Sequence, residues 1–215
     1  MKEYPILFQT EMVQAICKEI KTQTRRLAGL QMINLNPDQW ELALCAREVD
    51  TIDIGRSCAV FRNKNDDKMF TIKCPYGSPG DLLYVRESWA NILPFSPSTD
   101  GIIYYAERSD LTLAIDLIMG GVKWKPSIHL KKEHSRLWLT VNEISVERLH
   151  DLTEESAMAE GVSLGGLLGF GKISEVSYRE GFFNIWIDIN GSESLKKNPW
   201  LWVVKFSINK ERSRL

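Results

Sequence analysis

The sequence predicts an α+β fold: a small curved sheet or mixed β-barrel with two or three helices set between its strands. Three observations lead there. Several short runs alternate apolar and polar residues, or crowd β-branched and aromatic residues together, as strands do. Two other stretches space their apolar residues as one face of a helix, and a third carries helix start and stop residues. Turn-forming clusters of Gly, Pro, Asn and Asp separate most of these runs, and no internal repeat or low-complexity tract interrupts the series.

Taken in order, residues 11–20 carry Met12, Val13, Ile16, Cys17 and Ile20 on one helical stripe, with Thr10 as N-cap, Glu11 in the first turn and Lys18 near the end. The polar stretch "KTQTRR", 21–26, follows. Residues 28–57 show no firm periodicity, and "LNPDQWELALCAREVD" is the place for one short helix. "CAVFR" and "MFTIKC" flank "NKNDDK" as a hairpin. The turn-rich "PYGSPGD" leads into "LLYVRESW", where Leu82, Tyr84 and Arg86 alternate with Leu83, Val85 and Glu87. "GIIYYAE" is a further strand, and "RLWLTVNEISVERL", 136–149, is the clearest, with Leu137, Leu139 and Val141 on one face. "LTEESAMAEG" reads as a helix capped by Thr153 and stopped by Gly161. After the loop "GVSLGGLLGFGK" comes "YREGFFNIWIDIN", whose Phe182, Phe183, Trp186 and Ile187 fit a helical face. "PWLWVVKFSI" closes the series as a strand. Trp138, Trp186, Trp200 and Trp202 are expected in the core or barrel wall.

The 215 residues are 44% hydrophobic and 26% charged, with a net charge of −1, which suits one domain with insertions. No apolar run is long enough to span a membrane, and "MKEYPILFQTE" has no signal-peptide core, so a cytoplasmic protein with no membrane partner is expected. Near-zero charge excludes a general polyanion binder; any nucleic-acid contact must be local. The four cysteines, Cys17, Cys45, Cys58 and Cys74, form no CxxC and have no His at ligand spacing, so no metal site, no cofactor and no disulfide framework is indicated. The glycine-rich loop lacks the residue order of a phosphate-binding loop.

Two local clusters stand out. If the first helix ends near Ile20, the following chain is extended, and Lys21, Gln23 and Arg25 face one way with Thr22, Thr24 and Arg26 the other. Lys21 could cap the helix and leave the arginines solvated. Alternatively the knot is one wall of a polar pocket, because a desolvated lysine has its pKa pushed toward neutrality and can take a proton from a neighbouring threonine. Such a site wants a carboxylate, and Glu160 is one candidate among 28 acidic residues. The second cluster is "KWKPSIHLKKEHSR". Lys125, Ser127, His129, Lys131 and Arg136 could face a phosphate backbone while Trp124 stacks on a base, or the segment is a solvated loop around a buried Trp124. His129 reads as a hydrogen-bonding loop residue more than a general base. Arg86 and Glu87 either line the same cavity as Lys21 or form solvent-facing partners on opposite strand faces.

The segment "PILFQTEMVQAICKEIKTQTRR" resembles the N-terminal signature of the ASCH family in the PUA-like superfamily. "GDLLYVRESW", "LTVNEISVERLHDLTEESAMAEG" and "NPWLWVVKFSI" continue the resemblance from residue 5 to about 208. "CPYGSPGDLLYVRESW" and "WKPSIHLKKEHSRL" are similar to a phage and prophage branch of that family. The resemblance implies a single domain over 1–215, with insertions near 28–75, 91–125 and 161–176. Small bacterial ASCH proteins include an amidohydrolase that deacetylates 4-acetylcytidine. Carried over, Lys21 and Thr24 match its lysine and threonine, and Glu160 its glutamate. This implies Thr24 as nucleophile or nucleophile-orienting hydroxyl, Lys21 as its activator and Glu160 as acid/base partner. Around them Thr22, Arg25, Arg26, Arg86, Glu87, Trp124, Lys125, Ser127, His129 and Arg136 are the ligand-facing candidates. The partner expected is a nucleoside or nucleic acid, RNA before DNA. The alternatives are a module that binds RNA, DNA or a modified base without turning it over, a ribonuclease, or a phage factor acting on a host protein.

Overall fold

The apolar alternation of β9, Trp138–Arg148, and β10, Trp200–Ile208, builds the centre of the molecule, where the two strands pair antiparallel along almost their whole length. A computed structural model describes residues 1–46, 57–92, 101–107, 121–162 and 177–215. Strands β1 (Glu3–Leu7), β2 (Gln23–Arg26) and β6 (Leu82–Arg86) complete a five-stranded sheet in the order β1-β6-β9-β10-β2. β1 lies parallel to β6, and β2 runs antiparallel to β10 with Thr24 opposite Val204.

The expected barrel is corrected here. Among the described residues the sheet is open, with β1 and β2 at its two edges, and the fold is α+β with separate sheets. The segment 28–57 differs from expectation too. Where one short helix was expected, two 3-10 turns at Ile33–Leu35 and Pro37–Gln39 lead into strand β3, Trp40–Ala46. With β4 (Cys58–Asn63) and β5 (Met69–Lys73), the expected hairpin, it forms a second antiparallel sheet. Leu30, Ile33, Trp40, Ala59, Phe61 and Cys74 of that region pack with Val146 and Trp202, so it shares a core with the main sheet. Short strands β7 (Trp89–Asn91) and β8 (Ile102–Tyr104) pair as a third sheet. Most of the 91–125 insertion, and residues 163–176 of the glycine-rich loop, lie outside the described residues.

Helix α1 spans Thr10–Cys17, shorter than its apolar stripe, with Gln9 and not Thr10 at the N-cap. It stops because Glu19 takes a left-handed φ of 56°, and the amides of both Ile20 and Lys21 then bond to the Ala15 carbonyl. α1 buries Val13 and Ile16 with Phe8 and with Leu139, Val204 and Phe206 of the sheet. Helix α2, Glu154–Ala159, has Thr153 as its N-cap, accepting from the Ser156 amide at 3.2 Å, and Gly161 with φ 85° just past its end. Helix α3, Tyr178–Asn190, is opened by a Ser177/Glu180 capping box and packs Phe182 and Trp186 with Leu149, Leu152 and Leu201. Helix α4, Ser192–Lys197, turns the chain back into β10. Trp138, Trp186 and Trp202 are buried and Trp200 half-buried.

Candidate functional site

The turn after α1 sends the Lys21 side chain inward, against the end of α2. Its ammonium donates to Glu160 Oε2 at 2.7 Å and to the Glu160 carbonyl at 2.8 Å. Both side chains are buried, Lys21 with 2% and Glu160 with 8% of the residue exposed. Gly161 makes this approach possible: a Cβ there would stand 3.0 Å from the Lys21 Cβ and 3.2 Å from that of Ala15. The Thr22 amide bonds to the Ala159 carbonyl at 2.8 Å and ties the same two segments together. Burial pulls the Lys21 ammonium below the ordinary lysine value, against the opposing pull of the Glu160 carboxylate.

Arg25 adds a second cation to the carboxylate. Its Nη1 donates to Glu160 Oε1 at 3.1 Å, and its Nε donates to Glu147 Oε1 of β9 at 2.7 Å. Each oxygen of Glu160 therefore has its own cation.

Thr24 is buried one residue away, on β2. Thr24, Arg25, Arg26 and Glu160 line a cavity of about 280 Å³, to which Tyr76, Phe182, Ile185 and Trp186 contribute aromatic and aliphatic surface. This is just below the roughly 300–1,000 Å³ usual for ligand pockets. The cavity combines an apolar lining with a few converging polar groups, the pattern of a small-molecule site. Strict alternation would have put Arg25 and Arg26 on opposite sides of the strand, yet both reach the cavity wall. Helix α3 brings Phe182, Ile185 and Trp186 to that wall. Their helical spacing was visible in the sequence, but nothing local pointed to Tyr76 or Glu147.

The other candidates are distributed more widely. Thr22 is exposed. Arg26 lines the cavity, donates from Nη2 to the Leu7 carbonyl at 2.7 Å, and lies over the Phe8 ring at 4.9 Å. Arg86 and Glu87 do not line the cavity of Thr24 and Glu160. Arg86 Nε donates to the Leu130 carbonyl at 3.0 Å and holds the 127–130 turn against β6. Glu87 takes a two-pronged ion pair from Arg136, with bonds of 2.9 and 3.1 Å, and Arg136 also reaches Glu107. Burial raises the Glu87 carboxyl above its usual range, with Arg136 opposing. Trp124 is half-buried edge-on to Tyr105, with ring centroids 4.9 Å apart. The exposed Lys125 pairs its backbone with Trp89 and sets its ammonium 4.6 Å from that ring. Ser127 lines a neighbouring cavity, and His129 is exposed.

Among the described residues no group of three or more His, Cys, Asp or Glu side chains could hold a metal ion, and no helix is long and apolar enough to cross a membrane. No family model, no curated protein and no solved structure matches the chain.

Proposed function

We propose that the chain is an ASCH-type, PUA-like protein that takes a nucleobase or nucleoside into the cavity between β2 and α3, and that it hydrolyses an N-acylated cytidine or a similar modified base there. The observation that carries this reading is the meeting of Lys21 with Glu160, 139 residues away in the chain, where Glu160 and Thr24, though not Lys21 itself, line one cavity. Aromatic Tyr76, Phe182 and Trp186 suit a flat heterocycle, and Thr24 and Glu160 suit the amide it carries.

In the hydrolytic reading, burial brings Lys21 toward the neutral form, in which it accepts the Thr24 proton. Thr24 Oγ1 adds to the acyl carbon, the C–N bond breaks, and the base nitrogen leaves with a proton returned by Lys21. Water then adds to the acyl group, releases the acid and restores the threonine. Glu160 places the ammonium through its side chain and its carbonyl.

One observation favours a second reading, a binder of modified base without turnover. Both Glu160 oxygens are already engaged, one by Lys21 and the other by Arg25, so the carboxylate serves as an anchor for the two cations. Purified wild type, Lys21→Ala and Thr24→Ala, incubated with a panel of N-acylated cytidines and followed by chromatography with mass detection, separate the two. Turnover by wild type that disappears in both variants supports the hydrolase. Saturable binding without turnover supports the binder, and the absence of both from folded protein overturns the pocket reading.

A further inference from the structure

Among the described residues Arg26 stands apart from its neighbours in having no counter-ion. Lys21 faces Glu160, and Arg25 faces both Glu160 and Glu147. Among the described residues no carboxylate lies within ion-pair distance of Arg26; its Nη2 donates to the Leu7 carbonyl, and its Nε is buried with no hydrogen-bond partner. Three cations thus share two carboxylates around one site. A guanidinium with one neutral carbonyl acceptor, an unpartnered Nε and no carboxylate beside it, in a partly desolvated wall, favours an anion, and phosphate oxygens match its geometry.

The wall that Arg26 occupies belongs to two cavities. One is the base-sized cavity already described. The second, of about 430 Å³, is bounded by Thr10, Glu11, Ser88, Ser127 and the Phe8 ring, and the two share Met12, Arg26 and Ile189. The second cavity also meets the start of α1, where Gln9 makes no side-chain cap, so the positive end of the helix faces it. Thr10, Ser88 and Ser127 bring hydroxyl donors. Glu11 is the opposing group: its carboxylate on this wall lowers the affinity for any anion.

We propose that the second cavity is a phosphate subsite, with Arg26 as the anion-binding residue, so that the ligand is a nucleotide and not a free nucleoside. This rests on the reading of the first cavity as a base pocket: the base enters between β2 and α3, the sugar passes Met12 and Ile189, and the phosphate meets Arg26.

The test compares 4-acetylcytidine, its 5′-monophosphate, a short oligonucleotide containing it, and ribose 5-phosphate, on wild type, Arg26→Gln, Arg26→Lys and Glu11→Gln. Affinity is read by calorimetry, or as KM where turnover occurs. The expected result is binding of the monophosphate or the oligonucleotide about tenfold or more tighter than the nucleoside. That advantage is lost in Arg26→Gln, largely kept in Arg26→Lys and increased in Glu11→Gln. Preference for the monophosphate assigns a terminal phosphate, and preference for the oligonucleotide a phosphodiester. Equal affinity for nucleoside and both phosphorylated forms in wild type overturns the subsite and leaves the base pocket standing. Arg26-dependent binding of ribose 5-phosphate, with no selection for the acylated base, supports the subsite and overturns the base pocket. Should Arg26→Gln fail to fold, the wild-type comparison and the Glu11→Gln variant still decide.

Discussion

The ammonium of Lys21 bonds to the Glu160 side chain and to the Glu160 backbone carbonyl, at 2.7 and 2.8 Å, so one cation both neutralises the carboxylate and closes the end of helix α2. The edge strand of the sheet is thereby fastened to the segment that leads into the glycine-rich loop. Arg25 takes the other oxygen and links the pair on to Glu147 of β9.

This arrangement makes the two partners unequal. Lys21→Met leaves Glu160 with Arg25, whereas Glu160→Gln leaves a buried ammonium with no carboxylate. Removing one partner of a buried ion pair costs about 3–5 kcal/mol when the other is left uncompensated. Urea denaturation should show a loss of that order for Glu160→Gln and about 1–3 kcal/mol for Lys21→Met, where a charged partner remains. A larger loss for Lys21→Met would mean that Arg25 does not hold the carboxylate.

The same burial sets a pH dependence. A lysine whose folded pKa is lowered binds fewer protons folded than unfolded across the window between its folded value and the ordinary one, about 10.4. Stability from this group therefore rises as pH climbs through that window, and its penalty is full below the folded value. Other groups titrate in the same range: burial raises Tyr76 and Cys58. The quantity to measure is thus the difference between wild type and Lys21→Met. That difference should move in favour of the wild type from neutral pH to pH about 10; a flat difference would refute the lowered value.

How far the sequence revealed this depends on the range of the interaction involved. Strands β9 and β10 were plain, because alternation is local and neither strand needs a partner to show it. The cap at Thr153 and the stop at Gly161 were equally local. Strand β3 differs from the helix expected there because Asn36, Pro37 and Asp38 carry helix-start signals that the structure uses for 3-10 turns, while Trp40 begins a strand whose pairing with β4 lies across a segment of more than ten residues. Within the site, the lysine and threonine were conspicuous for their polarity next to an apolar stripe. Choosing Glu160 needed a family resemblance, since 28 acidic residues compete for the role. Glu147 and Tyr76 were invisible, because they reach Arg25 and the cavity through sheet register and tertiary packing, which no local pattern encodes.

Gly161→Ala tests the close approach that the site depends on. A φ of 85° is strained for alanine, and its Cβ would press on both Lys21 and Ala15. The combined strain and overpacking should cost about 1–3 kcal/mol. Because the displaced group is Lys21 itself, ligand affinity should fall together with the melting temperature. Unchanged stability would show that the backbone at Gly161 relaxes freely.

The Glu87–Arg136 pair tests whether those two candidates serve a ligand or the fold. Both are buried, and Arg136 spends its fork on Glu87 while lying 4.8 Å over the Tyr104 ring. Arg136→Met strands a buried carboxylate that burial already raises, and should cost about 3–5 kcal/mol. Glu87 binds more protons folded than unfolded between its unfolded and folded pKa, so stability from this group is fully present below the unfolded value and is lost as pH rises through the folded one. Removing Arg136 takes away the opposing influence, so the window widens upward and Arg136→Met should regain stability on acidification toward the usual glutamate range. The paired variant Glu87→Leu with Arg136→Met should recover much of the loss at neutral pH, because apolar replacement of both partners avoids the stranded charge. A cycle of urea denaturation on the wild type, the two single variants and the double variant measures the coupling. Strong coupling with unchanged nucleoside affinity in the double variant assigns the pair to the fold; weak coupling with lost affinity assigns it to the ligand.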